Sequence, residues 1–224
     1  MNIMATDKTS GRIVGVLLLI IFILGITIFQ FLQGSVLFGD EYLTQTSSHS
    51  FQIIFSALLG ILSGILSVII AVILLPVIKR QSPTLGPLYI AFCILYFIAI
   101  AIDNISILSM LELSNAYVQS EGVDLITLTT MGGIFYQIHW WTHYLSLLIS
   151  CFPVFTLFYT FYFTRLIPIL LSIFGMFAAL LMLVEILFSI FGHGISMNMM
   201  IPIALIQVTL PLWLIIRGFV DNQK

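Results

Sequence analysis

The chain has 224 residues, of which 61% are hydrophobic and only 7% charged. A soluble domain is about half apolar and about a quarter charged, so these proportions exclude a water-soluble fold, a disordered chain and a secreted disulfide scaffold, and leave an integral membrane protein. Seven Lys and Arg against nine Asp and Glu, a net charge of −2, provide no basic footprint and exclude nucleic acid as a partner.

A helix that crosses the hydrocarbon of a bilayer needs about 20 predominantly apolar residues. Six segments qualify, at about 13–37, 50–77, 87–111, 134–163, 167–191 and 197–217. Their apolar residues run on continuously where a membrane β-barrel would alternate, so the expected fold is an all-α, six-transmembrane-helix bundle. The first segment is longer than the h-region of a signal peptide, about 7–15 residues, and no small-x-small cleavage site follows it. It reads as a retained span. In the second, Ser56, Gly60 and Gly64 recur every fourth position, the pattern that lets two helix backbones approach closely, inside a bundle or in a homo-oligomer.

Breakers mark the connections. The stretch from Lys79 to Pro87 is a turn, and Pro87 and Pro168 open the third and fifth spans where a missing N–H is harmless. Residues 114–130 are polar and read as the longest loop, with room for a short interfacial helix. Gly192-His193-Gly194 closes a tight hairpin. Pro153 and Pro211 lie within spans and release the carbonyls of Ile149 and Gln207. Gln207 then offers a side-chain amide and a free carbonyl near the midplane. Nothing outside the membrane is large enough to fold alone, so residues 1–224 read as a single membrane domain.

Charge sorts between the connections. Lys8, Arg12, Lys79, Arg80, Arg165, Arg217 and Lys224 fall on one side, while Asp40, Glu41, Glu112, Glu121 and Asp124 fall on the other with no Lys or Arg among them. Short loops rich in Lys and Arg stay inside, which predicts cytoplasmic N- and C-termini in the cell membrane.

Polar residues within the spans are the candidates for function. A carboxylate in hydrocarbon costs at least about 2.5 kcal/mol, so it faces the interior, pairs or stays protonated. Asp103 and Glu185 both map to the outer half. Tyr89, Tyr96 and Asp103 are spaced by seven along one stripe of the third span, with Asn104 beside it. In the fourth span Tyr136, His139, His143, Ser146, Ser150 and Pro153 recur at steps of three and four and make one face polar. All four histidines, His49, His139, His143 and His193, map to the outer side. The expectation is a pocket open to the outer face, lined by Tyr96, Asp103, Asn104, Tyr136, His139, His143 and Glu185, with Gln207 a further ligand-binding candidate.

Two other readings stand beside it. Trp140, Trp141, Tyr136 and Tyr144 flank the histidines as an aromatic belt at the membrane interface would. His139 and His143 also place two imidazoles on one helix face, as a metal site needs. Yet the segment His139-Trp140-Trp141-Thr142-His143 lacks the glutamate of the zinc-protease motif. They are weak metal candidates, no opposing histidine is available for a haem, and no cofactor is indicated. Cys93 and Cys151 sit in apolar runs and read as packing residues. No nucleophile elbow, P-loop or dinucleotide fingerprint marks an enzyme. The expected function is a small-ligand or ion binding, sensory or transport component. The alternatives are a structural or partner subunit of a membrane complex and, third, a membrane-embedded metal-dependent enzyme. Expected partners are the lipid bilayer, a homo-oligomer or other membrane protein, and a small molecule of unspecified kind.

The stretch Phe163-Thr164-Arg165-Leu166-Ile167-Pro168, followed by Leu171-Ser172-Ile173-Phe174-Gly175, resembles the cytoplasmic turn of a bacterial membrane family known as domain of unknown function 4386. Ile201-Pro202-Ile203-Ala204-Leu205, through Trp213-Leu214-Ile215-Ile216-Arg217-Gly218-Phe219, is similar to that family's closing pattern, so the resemblance covers mainly the last third. Members often carry an acidic residue where Gln207 stands and an Arg-x-x-Glu pair where Cys93 and Tyr96 stand. The resemblance implies a bacterial six-span protein with a modified polar site, and no activity.

Overall fold

A computed structural model describes residues 3–37, 39, 41–80, 82–120, 123–194 and 196–220. Asp40, Glu121 and Lys224, used in the charge sorting, lie outside them. The described residues are helical with no strand: α1 (Ile3–Ile26), a π-helical segment (Thr27–Gln33), α2 (Gly34–Leu37), α3 (Tyr42–Ser48), α4 (Ser50–Lys79), α5 (Leu85–Gln119), α6 (Val123–Thr164), α7 (Ile169–Ile190) and α8 (Met197–Arg217). Among them are six helical stretches long and apolar enough to cross a membrane, the first running from Lys8 through the π segment to Leu37. A spanning chain must satisfy its backbone N–H and C=O groups internally, and the helix does so within each segment.

The structure differs from the expectation at residues 114–130. Within it α5 continues to Gln119 and α6 begins at Val123. Polarity does not by itself break a helix. Ala116 and Gln119 are good helix formers, and no Gly or Pro intervenes before Gly122. At 35 and 42 residues, α5 and α6 are about 52 and 63 Å long, well beyond the roughly 30 Å of hydrocarbon.

The chain clusters into two compact units. Met1–Phe22, Ile65–Tyr96 and Leu147–Lys224 form the first, and Ile23–Gly64 with Phe97–Ser146 form the second.

In the first unit α7 buries a stripe of mostly small side chains, Ser172, Gly175, Ala178, Ala179, Met182, Glu185, Ile186 and Ser189. Gly175 lies against the Phe158 ring with no room for a Cβ. The end of α8 is pinned. Gly218 takes a φ of +68°, and buried Phe219 sits with its ring centroid 5.9 Å from that of Phe161. The Val220 N–H then donates to the Leu166 carbonyl at 2.8 Å.

The second unit has an apolar core of Val36, Leu37, Ile53, Ile107, Met110 and Leu111, with Tyr42, Phe135 and Tyr136 packed against it. α3 is strapped to α5: the Ser47 N–H donates to Ser114 Oγ and the Ser47 hydroxyl to Asn115 Oδ1, both at 2.8 Å. The Ser114 hydroxyl in turn donates to the Leu43 carbonyl. The small-residue pattern of α4 serves this unit's interior. A Cβ on Gly60 would stand 2.8 Å from Asn104 Nδ2, and Gly64 abuts the Phe97 ring.

Candidate functional site

The second unit brings Asp103 of α5 against His139 and His143 of α6. These two histidines are four residues apart, so they project from successive turns of one face. Asp103 is 8% exposed and His139 2%. Asp103 Oδ1 lies 3.1 Å from His139 Nδ1 and accepts the Thr142 hydroxyl at 2.8 Å. Its other oxygen, Oδ2, lies 3.5 Å from His143 Nδ1, at ion-pair distance without a hydrogen bond. Each imidazole thus addresses a different oxygen of one carboxylate.

Local helix geometry sets this arrangement. Ser106, one turn beyond Asp103, donates to the Asp103 carbonyl at 2.7 Å, and its oxygen lies 2.9 Å from Thr142 Oγ1 and 3.3 Å from His139 Nδ1. Asn104 turns toward α4 and donates to the Ala57 carbonyl at 3.2 Å, in the space left by Gly60. It positions α5 against α4.

Asp103 and His139 are buried, while Thr142 and His143 are half-buried. The two turns of α5 after Asp103 carry Ile107, Met110 and Leu111 into the apolar core, and α3 is strapped to the same helix. Tyr136 belongs to that core and packs on Tyr42 with ring centroids 5.2 Å apart. Tyr42, outside the spans, has its phenol pKa pushed up by burial and by Tyr136.

Trp140 packs on Trp141 and on Tyr144, with centroids 4.9 and 4.4 Å apart, and Trp141 is exposed. Among the described residues no group of three His, Cys, Asp or Glu is arranged to hold a metal ion.

Three expected residues fall in the first unit. Glu185 is buried and accepts the Ser196 N–H at the start of α8, where a carboxylate complements the helix N-terminus. Tyr96 is half-buried. Gln207 is exposed, while Ile203, Ile206 and Leu210 of the same helix are buried.

Thr142, Ser106 and Phe29 were not anticipated. Thr142 follows His139 by three and Ser106 follows Asp103 by three, so helical spacing carried a signal for both. Phe29, whose ring meets that of His143 edge-on at 5.1 Å, carried none.

No curated protein and no solved structure matches the chain. A family match does extend the likeness seen in the last third to residues 13–218, and the chain accordingly belongs to the family described as Domain of unknown function (DUF4386).

Proposed function

We propose that this multi-pass membrane protein binds a small ion or ligand at Asp103, His139 and His143, as a sensory or transport component of the cell membrane with both termini cytoplasmic. One observation carries the reading: a single buried carboxylate is flanked by two imidazoles from successive turns of a neighbouring helix. Ionisable groups within a membrane are expensive and mark ligand or ion sites, and a packing seam needs none of them. Sensing is favoured over transport because, among the described residues, the buried Asp, Glu and His side chains (Asp103, His139 and Glu185) all map to the outer half, while a transport path for an ion would continue through both.

The test is thermal unfolding of the purified protein in lipid nanodiscs, from about pH 5 to 8 and with sodium, potassium or zinc added. A shift of the melting midpoint in the wild type that disappears in Asp103→Asn supports the reading. Superimposable profiles for both proteins under every condition assign the cluster to packing and overturn it. For orientation, a cysteine at Ser120 is labelled by an impermeant reagent in intact cells and one at Ser82 is not. The reverse pattern overturns the topology.

A further inference from the structure

The first span leaves the α-helical register beside His143. π-helix occupies well under 1% of residues in proteins and occurs mostly as single turns at functional sites. Here it runs for seven residues, Thr27–Gln33.

Polar groups of α4 hold this wide turn. The Gln52 amide donates to the carbonyls of Phe31 at 3.1 Å and Leu32 at 2.8 Å. The buried Gln33 amide donates to Ser56 Oγ at 3.0 Å. Gly34 closes the turn: a Cβ there would stand 2.6 Å from the Phe29 carbonyl oxygen. Two glutamines of apolar spans are thus committed to an unusual backbone register.

The same turn touches the site. The Phe29 ring meets the His143 ring at an interplanar angle of 68°. The other groups around His143 are Asp103 from α5, and His139 and Tyr144 from α6 itself. Gln52, Ser56, Ala57, Gly60 and Gly64, which α4 presents to the π segment and α5, are uncharged. His143 Nδ1 stands 3.5 Å from Asp103 Oδ2 with no hydrogen bond between them, a gap that an Nδ1–H donor would close.

We propose that the ligand of this site is a proton taken up at His143 Nδ1, and that the register of the π turn in the first span reports its arrival. The inference rests on the ion-binding reading above and names the ion and its readout. A hydronium O–H bond breaks, an Nδ1–H bond forms, and the imidazolium faces the carboxylate. Charge-assisted N–H···O bonds close to about 2.7–2.9 Å, so the ring draws toward Asp103 and away from Phe29. Without that edge contact the turn relaxes toward the α register. Each residue passed rotates the following helix by roughly 100°, which releases Gln33 from Ser56.

Linkage supplies the test. If protonation disfavours the π turn, any change that disfavours the π turn strengthens proton binding, by at most its own factor and no further than the affinity of the relaxed form. The probe is the proton itself, followed by NMR of isotope-labelled histidine in nanodiscs, with the His143 signal assigned by its loss in His143→Gln. Gly34→Ala raises the His143 titration midpoint by about half a pH unit or more, roughly threefold in affinity. Gln52→Leu, which removes the carbonyl ligands, moves it the same way and serves if Gly34→Ala does not fold. Gly25→Ala, in the same span with open space around it, leaves the midpoint in place. Unchanged midpoints in both Gly34→Ala and Gln52→Leu overturn the register device. A His143 that does not titrate, beside an Asp103-dependent response to sodium or zinc, overturns the proton and leaves the ion site standing. Loss of every Asp103 dependence removes both.

Discussion

Replacing Asp103 by Asn and His139 by Phe, singly and together, measures how strongly the carboxylate and imidazole hold each other. In soluble proteins a hydrogen bond to a charged group contributes about 1.5–3 kcal/mol. Between membrane helices the coupling averages about 0.6 and reaches about 1.7 kcal/mol, because the unfolded chain in the bilayer also finds polar partners. The 3.1 Å contact is buried at both ends, which argues for the upper part of that range. Thr142 donates to the same oxygen at 2.8 Å and survives in each single variant, which trims the effect. The expected coupling is about 1–1.5 kcal/mol near pH 7.5. The equivalent cycle with His143, whose approach is 3.5 Å and whose side chain is 15% exposed, gives about 0.5 kcal/mol. Reversible unfolding of the four proteins of each cycle in mixed micelles reads both values. A coupling to His139 below about 0.3 kcal/mol, the usual limit of additivity, or one smaller than that to His143, refutes the assignment of His139 as the carboxylate's principal imidazole.

Two further outcomes concern the packing that carries the site. Gly60→Val drives a side chain into Asn104 and lowers stability by about 2 kcal/mol; Asn104→Ala in the same chain restores part of it, and absence of any rescue by unfolding assay refutes the seam. At the end of α8, Gly218→Ala places a Cβ 2.7 Å from the Lys8 carbonyl at a φ of +68° and costs about 2 kcal/mol. Phe219→Ala empties a buried site and costs about 3 kcal/mol. Melting and proteolysis at wild-type levels for both variants refute the pinned terminus.

The amino-acid order alone determined the helical class, the number of spans and the placement of Asp103, His139 and His143 within apolar helices. The reason is that a bilayer demands continuous apolar length and backbone closure within each segment, and both are local properties. Spacing by three and four likewise put His139 and His143 on one face, and Ser56, Gly60 and Gly64 on another. The rotation of each helix about its axis was decided only by tertiary packing. That rotation set Asp103 against both imidazoles and turned Gln207 outward. It also placed Glu185 in the first unit, against the start of α8. Hydropathy reports depth, and a polar residue at the right depth is compatible with several rotations. The π turn lies further from reach. Its carbonyls are satisfied by Gln52 and its Gln33 by Ser56, residues about twenty positions away on another helix. No window along the first span contains the groups that stabilise its unusual register, so only the folded chain reveals it.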